Sequence, residues 1–265
     1  MKTFYLLASD QRFDKLGEFL KRRGFRVERR LVGTPDPDAV FFFPLGADTT
    51  QILPYIAHAQ EGSMLFTGWA DEALKSFAER RKFKVIPVME HAAYRQANAR
   101  HTAEGVLGEV IVRIPLALGE SVFLVGGYGY CGKAIARLLW LCGSEVWVWA
   151  RGERAQGARA DGFNVVEEAC PHLAMFDGVI NTIPAPVYTQ DILETLRRGT
   201  TFFQVATGNS GISPQVLERQ GVSYHPLPAL PAKVAAESES AALWQVIKES
   251  LASHTQNTDE QENSQ

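Results

Sequence analysis

Apolar residues along this chain gather in short runs separated by stretches with helical spacing. TFYLLA (3–8), VFFFP (40–44), SMLFTG (63–68) and KVIPVM (84–89) are bounded by turn or charged residues, as buried strands are. After the first run, Asp10 is placed to cap a helix whose Phe13, Leu16 and Leu20 share one face, with Gly24 as its stop. A second helix is expected from Asp71 to Arg81. Strands alternating with helices predict crossover units and a mostly parallel sheet.

Thr102 reads as the opening of a helix, TAEGVLGEVIVR, with Val106, Leu107, Val110, Ile111 and Ile114 on one side and Pro115 ending it. A second series follows: a strand at 121–126, a helix at 130–142 with Gly143 beyond it, and strands at 145–150, 163–166 and 178–183. Next come a helix near 189–198 stopped by Gly199, a strand at 201–206, and a helix capped by Ser213 with Pro214 at its first position. Residues 237–253 form a last amphipathic helix, and the polar run 254–265 reads as a disordered tail.

The fold class this pattern predicts is α/β, with two domains of mostly parallel sheet. Residues 1–100 form a flavodoxin-like domain for substrate or partner, and 101–236 a Rossmann-type dinucleotide-binding domain that includes the linker helix 102–114. The two long helices, 102–114 and 237–253, join the domains, and the cleft between them is the expected site.

Composition narrows the function classes. A net charge of −3 and a pI near 6.1 give no electrostatic reason to expect nucleic acid. No run approaches the roughly 18 apolar residues of a spanning helix, and the N-terminal apolar stretch falls short of a signal-peptide core. Three cysteines, Cys131, Cys142 and Cys170, form no metal-type spacing, and their odd number argues against a disulfide framework. The histidines show no ligand spacing either, so no metal is expected, and the protein is placed in the reducing cytosol. We expect a homo-oligomer, most simply a dimer, with no membrane contact.

The chemistry centres on VFLVGGYGYCGKAIARLL (122–139). Gly127, Tyr128, Gly129, Tyr130, Cys131 and Gly132 make a GxGxxG set between an apolar strand and a helix. Gly127 permits the tight turn, Gly129 lets backbone approach a pyrophosphate, and Gly132 lets the helix lie close to the strand. The helix N-terminus adds N–H donors and a positive dipole end. A glycine turn serving only helix–sheet packing is the bland alternative. The tip of the next strand carries Arg151 and no carboxylate, which favours NADP over NAD, although a solvated loop cation also fits.

Other candidates follow from position. Asn181, Thr182, Ile183 and Pro184 stand at the carboxyl end of one strand of the second series and Ala206 ends the next, where open α/β sheets bind ligands. His101, Thr102 and Glu104 stand at the expected helix start, where capping alone also explains Thr102 and Glu104. Lys233, after LPALPA, and Arg12, after the first strand, are candidate anchors for a substrate carboxylate. Glu104 and Lys233 are the candidate catalytic residues. Cys131 reads as a small packing residue inside the turn.

HTAEGVLGEVIVRIPLALGESVFLVGGYGYCGKAIARLL, GVINTIPAPVYT and LPALPAKVA together resemble the A-subunit family of dipicolinate synthase, and Asp10-Gln11-Arg12 and FFPLGADT resemble its early motifs. The resemblance runs over roughly residues 3 to 250. It implies a two-domain dehydrogenase-like fold and NAD(P)-dependent oxidation of a dihydrodipicolinate-type compound to dipicolinate in endospore-forming bacteria. A flavoprotein-like B subunit is the implied partner and a small dicarboxylate the implied substrate. It carries onto Thr102, Ala103, Glu104 and Gly105, onto Gly127, Gly129 and Gly132, onto Asn181 to Pro184, and onto Lys233. Two other readings stand beside it: a dehydrogenase for another small carboxylate, and a non-catalytic dinucleotide-binding or assembly subunit. Ala8 and Ser9, where the family has glycines, and Tyr130, where it has arginine, favour the last.

Overall fold

A computed structural model describes residues 2–262 apart from 32, 37, 58, 169–171 and 209. Cys170 and residues 263–265 therefore lie outside the described residues. The chain divides into two compact units, one made of 1–98 with 235–265 and the other of 99–234.

The first unit is built on a parallel sheet of β1 (Thr3–Leu6), β2 (Arg26–Glu28), β3 (Val40–Phe42), β4 (Met64–Thr67) and β5 (Lys84–Pro87), in the order β2-β1-β3-β4-β5. This is the strand order of flavodoxin-like sheets. Three helices, α1 (Gln11–Arg22), α2 (Thr49–Ile56) and α3 (Glu72–Arg81), are capped by Asp10, Asp48 and Asp71. Phe13, Leu16 and Leu20 of α1 are buried among Phe4, Leu6, Phe42 and Phe66, as the periodicity predicts. The edge strand β2 gives no apolar run, because only Val27 of its RVE is hydrophobic and it is only half-buried. Pro54 inside α2 hides that helix from a reading of the sequence.

Two helix boundaries differ from expectation. The helix expected to open at Thr102 is α4 (Ala92–Arg113), which begins ten residues earlier. AAYRQANAR, ahead of His101, contains no breaker and is rich in alanine and other good helix formers, so nothing stops the helix at the threonine. The helix predicted at 237–253 widens to Ala236–Glu262, running through most of the stretch expected to be a disordered tail. That stretch is polar but holds neither glycine nor proline, so it lacks a stop signal. This last helix, α10, lies in the first unit and supplies Leu243, Val246 and Ile247 to that core.

The second unit contains β6 (Val122–Gly126), β7 (Glu145–Trp149), β8 (Asn164–Val166), β9 (Gly178–Asn181), β10 (Thr201–Gln204) and β11 (Ser223–Pro226), all parallel. Their order, β11-β10-β9-β6-β7-β8, is that of a Rossmann sheet, with its switch point between β6 and β9. The helices are α5 (Tyr130–Leu141), α6 (Glu153–Ala160), α7 (Gln190–Glu194), α8 (Pro214–Gln220) and α9 (Leu230–Val234). The helix expected near 189–198 is shorter, and α6 and β11 are elements the sequence pattern does not signal. Each carries few large apolar residues: ERAQGARA buries only Ala155 and Ala158, and SYHP is an edge strand. Pro214 takes the first position of α8 as expected, but Ser213 ahead of it makes no capping hydrogen bond, its hydroxyl donating to Gln215 Oε1 at 3.2 Å instead.

Among the described residues no helix is long and apolar enough to cross a membrane. One edge of the second unit is expected to respond to pH. Arg113 at the end of α4 donates from Nε to Nδ1 of His225 on β11 at 3.1 Å, and pairs with Glu109. Burial, and then the Arg113 charge, hold the His225 imidazole below its ordinary pKa, with Glu109 opposing. The unfolded chain therefore takes up this proton first as pH falls, and stability contributed by neutral His225 is present above about pH 6.5 and lost below it. Urea midpoints compared on either side of that pH should fall more in wild type than in His225→Gln. Equal falls would dismiss the effect.

Candidate dinucleotide site

The glycine turn lies at the carboxyl end of β6, beside the switch point. Gly127 has φ +92°, and a Cβ there would stand 2.7 Å from Thr182 Oγ1. A Cβ on Gly132, in the first turn of α5, would stand 2.1 Å from the Gly127 carbonyl oxygen. Both positions are glycine because the helix packs directly onto the turn. Gly129 differs: its φ is −83°, and a Cβ there would meet no heavy atom within 4 Å. Nothing in the folded chain requires glycine at 129, so the room is left for something else.

The start of α5 is also bare. Gly129 caps it with no side-chain hydrogen bond, and no acidic residue occupies its first turn, whereas Asp10, Asp48 and Asp71 cap α1, α2 and α3 with their carboxylates. Free N–H groups and the positive dipole end suit an anion. Tyr128 turns its side chain elsewhere. Its hydroxyl donates to Asp161 Oδ2 at 2.7 Å and its ring meets Phe163 edge-on, so only its backbone belongs to the turn. Burial, then the Asp161 hydrogen bond, raise its phenol pKa and keep it protonated. Tyr130 is exposed at the first helical position.

The loops after β9 and β10 border the turn. Thr182 is tied to the end of β6, its N–H and Oγ1 both donating to the Gly126 carbonyl at 2.9 and 2.7 Å. Ile183 is half-buried and Pro184 exposed at this rim, with Ala206 half-buried on the next loop. Asn181 is wholly buried, and its amide is engaged by Ile183 and Gln204. It shapes the rim and does not offer its side chain to a ligand, in contrast to the expectation for this residue. Arg151 is exposed beyond β7, next to Gly152 at φ +57°, with no hydrogen bond or ion pair among the described residues. Arg154, one helical turn on, is equally exposed, and the sequence pattern misses it because it signals no helix there.

His101, Thr102 and Glu104 lie inside α4 and not at a helix start, so neither the capping reading nor the dipole reading applies to them. Their place is nonetheless near the turn. Buried Thr102 hydrogen-bonds the Cys131 thiol in the first turn of α5. Burial raises the Cys131 pKa more than that bond lowers it, which leaves a packed, unreactive thiol, as its place inside the turn suggests. A Cβ on Gly105 would stand 3.0 Å from Leu230 Cβ, so α4 and α9 meet there. Half-buried His101, exposed Glu104 and exposed Lys233 ride on these two helices.

Known proteins share this fold. The chain is 28% identical over 193 residues to the A subunit of dipicolinate synthase from Bacillus subtilis (strain 168), across 71% of this chain and 65% of that protein's length. The chain is its relative. The crystal structure of the corresponding A subunit from Bacillus halodurans matches at TM-score 0.80 and 21% identity, covering 95% of this chain and 98% of the other. Salmonella D-lactate dehydrogenase matches at TM-score 0.65 and 12% identity, covering 94% and 95%. At these identities the structures establish the fold alone, two α/β units of which the second has a Rossmann-type sheet. No protein-family model matches the chain.

Arg12, expected from its place after the first strand to anchor a substrate carboxylate, is not free for one. It is 7% exposed, its Nε donates to both Asp10 oxygens at 2.9 and 3.0 Å, and its Nη1 lies 3.7 Å from Glu239 Oε2 on α10. Glu239 is wholly buried and also accepts from Tyr94 Oη at 2.9 Å and Asn98 Nδ2 at 3.1 Å. Burial disfavours the guanidinium charge, but Asp10, Tyr94 and Glu239 outweigh it and raise the pKa. Arg12 is held because both carboxylates lie close in the fold, and one comes from the far end of the chain. Among the described residues no group of three or more His, Cys, Asp or Glu is placed to hold a metal ion.

Proposed function

We propose that the chain is an NADP-dependent oxidoreductase that oxidises a dihydrodipicolinate-type compound to dipicolinate, as an A subunit working with a flavoprotein-like second subunit. Gly129 carries the cofactor reading, because the open space at its Cβ and the uncapped start of α5 fit a pyrophosphate and have no packing explanation. The backbone of 127–132 holds the two phosphates. Arg151, with Arg154 behind it, takes the 2′-phosphate by paired N–H donors. The bound nicotinamide supplies a hydride acceptor. Lys233 anchors a substrate carboxylate, and Glu104 takes the proton released as the ring becomes aromatic. Aromatisation itself favours hydride loss, so alignment is most of what the protein must provide.

Gly129→Ala tests the reading directly. Its melting temperature should match wild type, since no atom of the protein is displaced, while NADP+ affinity falls about tenfold or more. Unchanged affinity would leave a packing turn and remove the cofactor. Arg151→Ala should lose NADP+ affinity and keep NAD+ affinity; tighter NAD+ binding indifferent to Arg151 would reverse the cofactor assignment. A second reading, a dinucleotide-binding subunit without catalysis, is favoured by the buried and paired state of Arg12. NADPH formation from enzymatically generated dihydrodipicolinate, with and without the second subunit, separates the two. Binding with no turnover on any small carboxylate selects the second.

A further inference from the structure

A Rossmann sheet offers two mononucleotide halves, which here are β6–β8 and β9–β11. The glycine turn and Arg151 both belong to the first half. The second nucleotide, the nicotinamide one in the reading above, then falls to the loops that follow β9 and β10. Those loops are locked together by a pair of buried side-chain amides. Asn181 Nδ2 donates to Gln204 Oε1 at 2.9 Å, with Asn181 wholly buried and Gln204 8% exposed. The other end of each amide is spent on its own loop: Asn181 Oδ1 accepts from the Ile183 N–H at 2.8 Å, and Gln204 Nε2 donates to the Ala206 carbonyl at 2.7 Å. The N–H groups of Val205 and Ala206 both reach the Asn181 carbonyl at 3.0 Å.

Such a pair has one satisfied arrangement, because turning either amide over sets donor against donor or oxygen against oxygen. Packing alone would be met by apolar side chains, without the polar burial that must then be satisfied in full. We propose that Gln204, acting through Asn181, is a positioning residue for the nicotinamide half of the dinucleotide, and that the adenosine half binds independently of it. The proposal rests on the dinucleotide reading. It makes the two halves of the site separable by mutation: the clamp fixes where residues 183 and 206 stand, and neither residue lies in the phosphate turn.

The test uses the full chain as wild type, as Gln204→Leu, and as Asn181→Leu with Gln204→Leu, which removes both side-chain amides together so that neither faces an apolar partner. Calorimetry with NADP+ and with 2′-phospho-ADP-ribose, the same ligand lacking nicotinamide, gives the readout. In both variants NADP+ affinity should fall about tenfold, while affinity for the fragment stays within about twofold of wild type. Amide exchange at 183 and 206 should rise together in Gln204→Leu. Equal losses for the two ligands, or an unchanged NADP+ affinity, would overturn the proposal. Should wild type bind neither ligand, the dinucleotide reading is what fails, and unaltered exchange at either amide would still overturn the clamp.

Discussion

Gly132→Ala destabilises the second unit by about 3 kcal/mol and abolishes dinucleotide binding. The added methyl would lie 2.1 Å from the Gly127 carbonyl oxygen and 3.0 Å from Thr182 Oγ1. The first of these is backbone in a turn already committed to φ +92°, so no side-chain rotation relieves it. Either α5 lifts from β6 or the turn opens, and each outcome spoils the cradle. Urea unfolding and calorimetry with NADP+ check both parts. Gly129→Ala is the informative companion, since it adds the same methyl three residues earlier into empty space. A Gly132→Ala protein as stable as wild type would show that the helix does not rest on the turn as described.

The second large effect concerns charge. Arg12→Met costs the first unit about 3 kcal/mol, in line with breaking buried ion pairs, because wholly buried Glu239 loses the Arg12 guanidinium that lies 3.7 Å from its carboxylate. Arg12→Met combined with Glu239→Gln recovers most of that loss, since neither buried charge then remains. Unfolding midpoints for wild type and the two variants decide it. If Arg12 were a substrate anchor, Arg12→Met would raise KM at unchanged stability, and the second change would repair nothing.

Much of the architecture is legible in the chain, for local reasons. β1, β3, β4, β6 and β7 show as apolar runs because both faces of a central parallel strand are covered. The edge strands β2 and β11 and the small helix α6 bury too little to leave a pattern. The start of α4 is disguised because Thr102 and Glu104 resemble a cap, although a helix continues wherever nothing breaks it. Gly126 reads as the plain end of a strand. It is glycine because Tyr188 places its hydroxyl 2.2 Å from where a Cβ would be, and no spacing reveals that pair.

Local sequence is enough to specify the glycine turn. A strand, a left-handed glycine and a helix start are set by neighbours a few residues apart, and the backbone conformation at Gly127 disfavours any other residue. Which polar groups remain free to act is a matter of three-dimensional packing. Arg12 looks available along the chain, but α10 brings Glu239 to it; Asn181 looks available too, but β10 brings Gln204. Arg151, by contrast, keeps its charge exposed beyond β7. A side chain's chemistry is written in its type, but its availability depends on partners that the chain's path delivers from far along the sequence.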